Sequence, residues 1–301
     1  LEEQSALQYT NLLNIADKLN TEWIKFGFIF ILIGFGTKAG LAPMHFWLPD
    51  AHSQAPAPIS AVLSGVLLNT ALYGILRVYA IVKIVIPDIA GYYLIGFGLL
   101  SIMAVVPFIF VQHDLKRLLA FSSVEHIGII TLAVGVGGPI GLYGAFLHMI
   151  NHSLGKSLLF FAAGSIVQNY RSKYIGRISG VIKSMPYTGI IFLIASMAIA
   201  GAPPFSLFIS EFTIMLGCVA TGKLWLGCLF ALLVAIIFTG MSYYVIRMLF
   251  GEEPKKVKKI IESKGSLVAM TIPLVFVVIG GFYVMPFIQN AVIMAAKVLG
   301  D

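Results

Sequence analysis

Long apolar runs alternate with short polar or turn-forming stretches along the whole chain. A helix needs about 20 apolar residues to cross a bilayer, and about eight segments meet that measure: 23–41, 58–82, 91–111, 117–136, 139–167, 187–221, 224–250 and 267–297. Two of these runs are interrupted, the first by Gly40, Leu41, Ala42 and Pro43, the second by Gly201, Ala202, Pro203 and Pro204. Glycine frees the backbone and proline removes a donor, so each interruption predicts a broken helix. The run 117–136 gives the weakest signal, because Glu125 and His126 fall inside it. Pro139, Pro186, Pro254 and Pro273 sit at or near helix starts or in connections, where proline is tolerated. Trp23, Tyr92, Tyr93, Tyr170, Tyr187 and Trp225 fall near proposed helix ends, as interfacial aromatics do. After the first break, Asp50 and AHSQAPAP read as a turn-rich connection, with the next helix starting near Pro58.

Composition turns these runs into a class. Of the 301 residues, 59% are hydrophobic and 11% charged, against about 25% charged in soluble domains. The fold class expected is an all-α polytopic membrane protein lying in the lipid bilayer. The net charge of +7 is no nucleic-acid signature, since no groove of interleaved aromatic and basic residues is visible. Cys218 and Cys228 form no CxxC or Cys/His set, so neither a metal site nor a redox cofactor is expected. The chain starts at Leu1 without a signal-peptide pattern, and residues 1–22 read as an amphipathic extramembrane segment. Further sequence upstream is expected.

Charge sets the orientation. If the first helix ends on side X, the connections 44–57, 112–117, 168–186 and 251–266 share that side. They carry Lys116, Arg117, Arg171, Lys173, Arg177, Lys183, Lys255, Lys256, Lys258, Lys259 and Lys264. Side Y holds Lys18, Lys25, Arg77, Lys83, Lys223 and Lys297. The positive-inside rule makes X cytoplasmic. Lys116 and Arg117 read as headgroup anchors, and 251–266 as a basic cytoplasmic connection.

The ionisable residues inside the runs are the candidate chemistry, because charge at bilayer depth is costly and marks ion pathways. Lys38 precedes the first break and Glu211 follows the second. Paired broken helices point to an inverted-repeat transporter, and the order charge–break then break–charge suits inversion. Snorkelling of Lys38 to an interface is the alternative. Between the breaks, His148, His152 and Lys156 recur at i, i+4 and i+8, so they share one helix face at steps of about 6 Å. One water can bridge each step, which makes a proton path; the alternative is a set of core polar groups bonded to backbone or to Asn151, Ser153 and Ser157. Glu125 and His126 read equally as a proton entry or partner for Lys38, or as an interfacial pair near the polar start SSVEH.

Four stretches carry a family resemblance: KAGLAPMHFWLPDAHSQAPAPISAVLSGVLLNTALYGILR, DLKRLLAFSSVEHIG, HMINHSLGKSLLFFAAG and GAPPFSLFISEF. Over about Trp23 to Phe250 the chain resembles the antiporter-like, proton-pumping membrane subunits of respiratory complex I, Mrp-type antiporters and group 4 membrane-bound NiFe hydrogenases. The Glu-His pair of SSVEHIG leans towards the hydrogenase-4/formate-hydrogenlyase F-type subunit. The resemblance implies about fourteen helices in two inverted repeats, of which this chain would start at the seventh. It implies the end of one repeat and the start of the next over 23–111, the remainder of the second over 112–250, and a C-terminal transmembrane helix over 267–301. Lys38 matches the pumping lysine of the first broken helix, whose glutamate partner would lie upstream. His148, His152 and Lys156 match the central connecting group, and Glu211 the terminal lysine or glutamate. Asn69 departs from the pattern, where a Lys or His is common; it carries no charge but can hold a water.

The expected function is that of a proton-translocating subunit of a redox-driven complex in the inner (plasma) membrane of a prokaryote. It would contact other membrane subunits directly and a hydrophilic redox arm indirectly, with no cofactor of its own. The alternatives are a Na+/H+ antiporter module using carbonyls near Gly40 or Gly201, and a structural subunit without transport.

Overall fold

The computed structural model describes residues 8–252, 254 and 262–300. A short helix, Tyr9–Asn14, precedes a series of longer ones: α1 Thr21–Ala39, α2 Trp47–Gln54, α3 Ala57–Val85, α4 Pro87–Phe110, α5 Leu115–Val136 and α6 Gly138–Tyr170. Then follow α7 Pro186–Ile199, α8 Ser206–Ala220, α9 Leu224–Phe250, α10 Lys264–Ile279 and α11 Pro286–Gly300. Among the described residues there is no strand; the one extended pairing is an isolated bridge between Asp114 and Tyr174. Among the described residues, five spans are long and apolar enough to cross a membrane, counting α1 with α2 as one; α7, α8, α10 and α11 are apolar but shorter. The all-α membrane fold expected from the apolar runs is thus the fold observed.

The core is α5, buried along its whole length except at Arg117. This is the segment with the weakest membrane signal in the sequence. A helix enclosed by protein need not be uniformly apolar, because its neighbours satisfy what lipid cannot. α4 reaches α5 along a seam of small residues. A Cβ on Gly98 would lie 2.6 Å from the Gly128 carbonyl oxygen, and one on Gly135 would lie 2.6 Å from that of Gly91. The backbones therefore touch, as in other small-residue membrane interfaces. α6 runs along α5 for much of its length, and α8 packs on α6.

Two expectations about elements need correction. Residues 47–54 form α2 rather than a turn-rich connection, and α2 rests on α5. The C-terminal run 267–297 is two helices, interrupted at residues 280–285. At one end, Glu262 accepts from the backbone N–H of Tyr187 and Thr188 at the start of α7 (2.9 and 2.7 Å). At the other, Lys83 donates to the Leu299 carbonyl. α10 and α11 together thus run from the start of α7 to the end of α3. Gly281 presses on the second break, where an added Cβ would lie 1.7 Å from the Pro204 carbonyl oxygen. In the connection 251–266, Lys255, Lys256, Lys258 and Lys259 lie outside the described residues.

Candidate functional site

The two expected breaks have the same backbone construction. α1 ends at Gly40, which takes a left-handed conformation (φ 80°), with Leu41 N–H donating to Gly36 O at 2.8 Å and Gly40 N–H to Thr37 O at 3.3 Å. α7 ends with Gly201 in the same conformation (φ 76°), with Ala202 N–H donating to Met197 O at 2.9 Å and Gly201 N–H to Ala198 O at 3.1 Å. This is the glycine-capped ending in which the last carbonyls are satisfied by turned-back N–H groups. Both breaks also contain a cis peptide bond before proline, at Pro43 and Pro204. Each helix resumes within a few residues, as α2 and α8.

Their charged residues fare differently. Lys38 is exposed, on the side of α1 that also shows Trp23, Phe26 and Phe30. It does not join the buried line expected for it. Glu211 is buried against Gly201, where a Cβ would lie 2.1 Å from its Oε2 atom.

The remaining candidates converge between α5, α6 and α8. His126 Nδ1 lies 3.0 Å from His148 Nε2, and His148 Nδ1 lies 2.9 Å from Ser210 Oγ. The rings of His126 and His152 are 5.3 Å apart between centroids. Donor atoms of His126, His148 and Glu211 all fall within 4.8 Å of one another, a spacing that could hold a metal ion. Asn151 donates to the Ser206 carbonyl (2.8 Å) and to Ser210 Oγ (3.3 Å), fixing α8 against α6. Lys156, wholly buried, donates to the Leu119 carbonyl (3.0 Å) and to Ser122 Oγ, and lies in the field of Glu125. Glu125 in turn senses Lys156 and Glu211. The pair Glu125–His126 is thus buried in the middle of the core helix and not at an end of it. Neither ring nitrogen of His152 has a hydrogen-bond partner among the described residues.

Asn69 adjoins this group without entering it. Its Nδ2 donates to Ser153 Oγ (2.8 Å), Gly65 O (3.2 Å) and Met149 O (3.3 Å). These bonds form where α3 widens into a π turn over Leu63–Leu67, the kind of irregularity often found at functional sites.

Sequence reading missed two residues here. His52, on α2, is fully buried, stacks on Phe160 at 5.3 Å, and lies in the field of Lys156. Its signal was concealed because AHSQAPAP has turn composition. Lys116, expected in the headgroups, is buried and donates to the Ala55 carbonyl. Arg117 pairs with Asp50 at 3.4 Å, and Lys173 with Asp114 at 3.3 Å. Beside them lies a cavity of about 710 Å³ lined by Ser53, Lys116, Gln168 and Lys173. At the other end of the buried line, a cavity of about 330 Å³ lies between α8, α9 and the second break, and Glu211 lines it.

Comparison with known proteins agrees with this architecture. The chain is 43% identical over 250 residues to the hydrogenase-4 component F homolog of Methylacidiphilum infernorum, covering 82% of this chain and 52% of that protein. It is 39% identical over 197 residues to hydrogenase-4 component B of Escherichia coli, covering 61% of this chain and 29% of that protein. The chain thus spans about half, or less, of the length of these curated relatives. Among solved structures, the membrane-bound sulfane sulfur reductase, an archaeal respiratory membrane complex, contains a chain that superimposes with a TM-score of 0.87 at 26% identity, over 97% of this chain and 60% of that one. The family model described as NADH:quinone oxidoreductase/Mrp antiporter, TM matches residues 1–239, well over half of the sequence, and the chain belongs to that family.

Proposed function

We propose that this chain carries protons across the membrane as part of an antiporter-like subunit in a redox-driven complex of a prokaryotic inner membrane. Other membrane subunits are its direct partners, and the hydrophilic redox arm acts on it at a distance. One observation carries the reading: Lys156, Glu125, His152, His126, His148 and Glu211 are all buried, the first two in each other's field and the other four gathered around His126, and a cavity lies near each end.

Protons enter from the basic side, by the cavity at Ser53 and Lys116, and pass His52 to Lys156. Lys156 and Glu125 hold one proton between them. In dry surroundings the ion pair and the neutral pair are close in energy, since Coulomb attraction offsets the cost of desolvation. A small change in their surroundings therefore moves the proton. The imidazoles of His152, His126 and His148 pass it on, each accepting on one nitrogen and releasing from the other. The ring nitrogens of His152 require partners in so buried a place, and water is the one that also conducts protons. Glu211 receives the proton and gives it up to the second cavity. Lys38 and Asn69 form a side branch that feeds this line from the exposed face of α1.

The test is Lys156→Met in the intact complex, with proton uptake measured in sealed vesicles. Coupled pumping falls roughly 100-fold, in line with the loss of a positioned proton-transfer group, while the complex still assembles. Pumping at the native rate would reject the relay.

A further inference from the structure

We propose that His126, His148 and Glu211 also form a binding site for one divalent transition-metal ion, with Zn2+ as the type case. The site stands on geometry alone; only its effect on transport rests on the proposed relay. Zinc takes imidazole nitrogen and carboxylate oxygen at about 2.0–2.2 Å, and tetrahedral angles then set donor atoms about 3.3 Å apart. His126 Nδ1 and His148 Nε2 are 3.0 Å apart, and the Glu211 carboxylate lies within 4.8 Å of both. Two imidazoles and one carboxylate leave the fourth position for water, which suits Zn2+ rather than Mg2+ or Ca2+, whose shells are built from six or more oxygens.

Three further features fit. Ser210 Oγ, 2.9 Å from His148 Nδ1, holds that ring by its far nitrogen and leaves Nε2 for the metal. Asn151 in turn holds Ser210 at 3.3 Å. A second carboxylate also stands near: Glu125 lies in the field of Glu211, and Lys156 lies in the fields of Glu125 and His126. Finally, Glu211 lines the cavity between α8 and α9, so an ion arriving there meets its carboxylate first. All three ligands belong to the proposed relay, so a bound ion replaces the proton between the two imidazoles and stops transport.

The experiment uses the full-length protein, purified in detergent and stripped of metal with EDTA. Zn2+ binding is measured by equilibrium dialysis, ligand type by X-ray absorption, and geometry by the visible spectrum of the Co2+ form. One ion per chain with nitrogen and oxygen ligands is expected, and Co2+ gives the intense bands of a four-coordinate site. Glu211→Gln and His148→Gln each weaken binding at least roughly tenfold, and Ser210→Ala, a milder change outside the ligand set, weakens it about tenfold. His113→Gln, an exposed histidine elsewhere, leaves binding unchanged. Sulfur ligation, absence of stoichiometric binding, or native affinity in Glu211→Gln and Ser210→Ala overturns the site. Stoichiometric Zn2+ binding together with native pumping by Lys156→Met would sink the relay and leave the metal site standing.

Discussion

The two interrupted crossings, α1–α2 and α7–α8, are the same backbone device in opposite surroundings. Both end their first helix on a left-handed glycine with the same turned-back hydrogen bonds, and both resume within a few residues. Around the second, α6, α9 and α10 close in, and Glu211 is 6% exposed. Around the first, α3 packs on α1, Ser101 of α4 bonds the break and α5 carries α2, while in this chain, which spans about half the length of its relatives, Lys38 is exposed with Trp23 at 76% exposure. The break itself fixes where a charge sits along the crossing. What packs around it decides whether that charge is held dry and made responsive to its neighbours.

The comparison can be broken most forcefully at Glu211. Glu211→Gln keeps the shape of the side chain and removes its proton exchange, so vesicle pumping by the intact complex falls roughly 100-fold. Full pumping would reduce the second break to a structural feature. A smaller effect separates the two glycines. Alanine at either position meets the left-handed penalty of about 1–2 kcal/mol. At Gly40 the new methyl meets Leu48, which is also buried but apolar, so repacking there displaces no polar group. At Gly201 it meets the Glu211 carboxylate, a buried polar group whose displacement carries it away from His126 and His148. Gly201→Ala therefore destabilises the protein by about 3 kcal/mol, and Gly40→Ala by about half that, as read from thermal unfolding in detergent. Equal losses would mean that backbone strain, and not the surroundings, distinguishes the sites. The smallest effect is at Lys38. Lys38→Met changes the unfolding free energy of this chain by less than about 0.5 kcal/mol, as surface substitutions do, while it lowers pumping in the intact complex. A loss of stability well above that would place Lys38 in a buried pair.

Much of this was legible in the sequence, for physical reasons that can be named. The apolar runs mark crossings because lipid demands them, and Gly40, Pro43, Gly201, Pro203 and Pro204 mark the breaks because no other residues interrupt a helix so sharply. The stripe of His148, His152 and Lys156 follows from helical spacing within one element. What could not be read depends on neighbours. The place of α5 at the centre was hidden because Glu125 and His126 weaken its apolar run, although its neighbours are what make those charges tolerable. The meeting of His126 with His148 and Glu211 joins three helices, and no spacing along the chain encodes it. His52 escaped because proline and small residues after α2 outweighed the helix that carries it. The third interruption, at residues 280–285, is marked by Gly280, Gly281 and Pro286, but no charged residue stands beside it to draw attention.

That third interruption has a mechanical meaning. Gly281 lies so close to the Pro204 carbonyl that not even a methyl group fits between them. The C-terminal crossing is thus seated in the hinge of α7–α8, and neither can slide without carrying the other. A shift of that crossing at Gly281 presses on the turn that cradles Glu211.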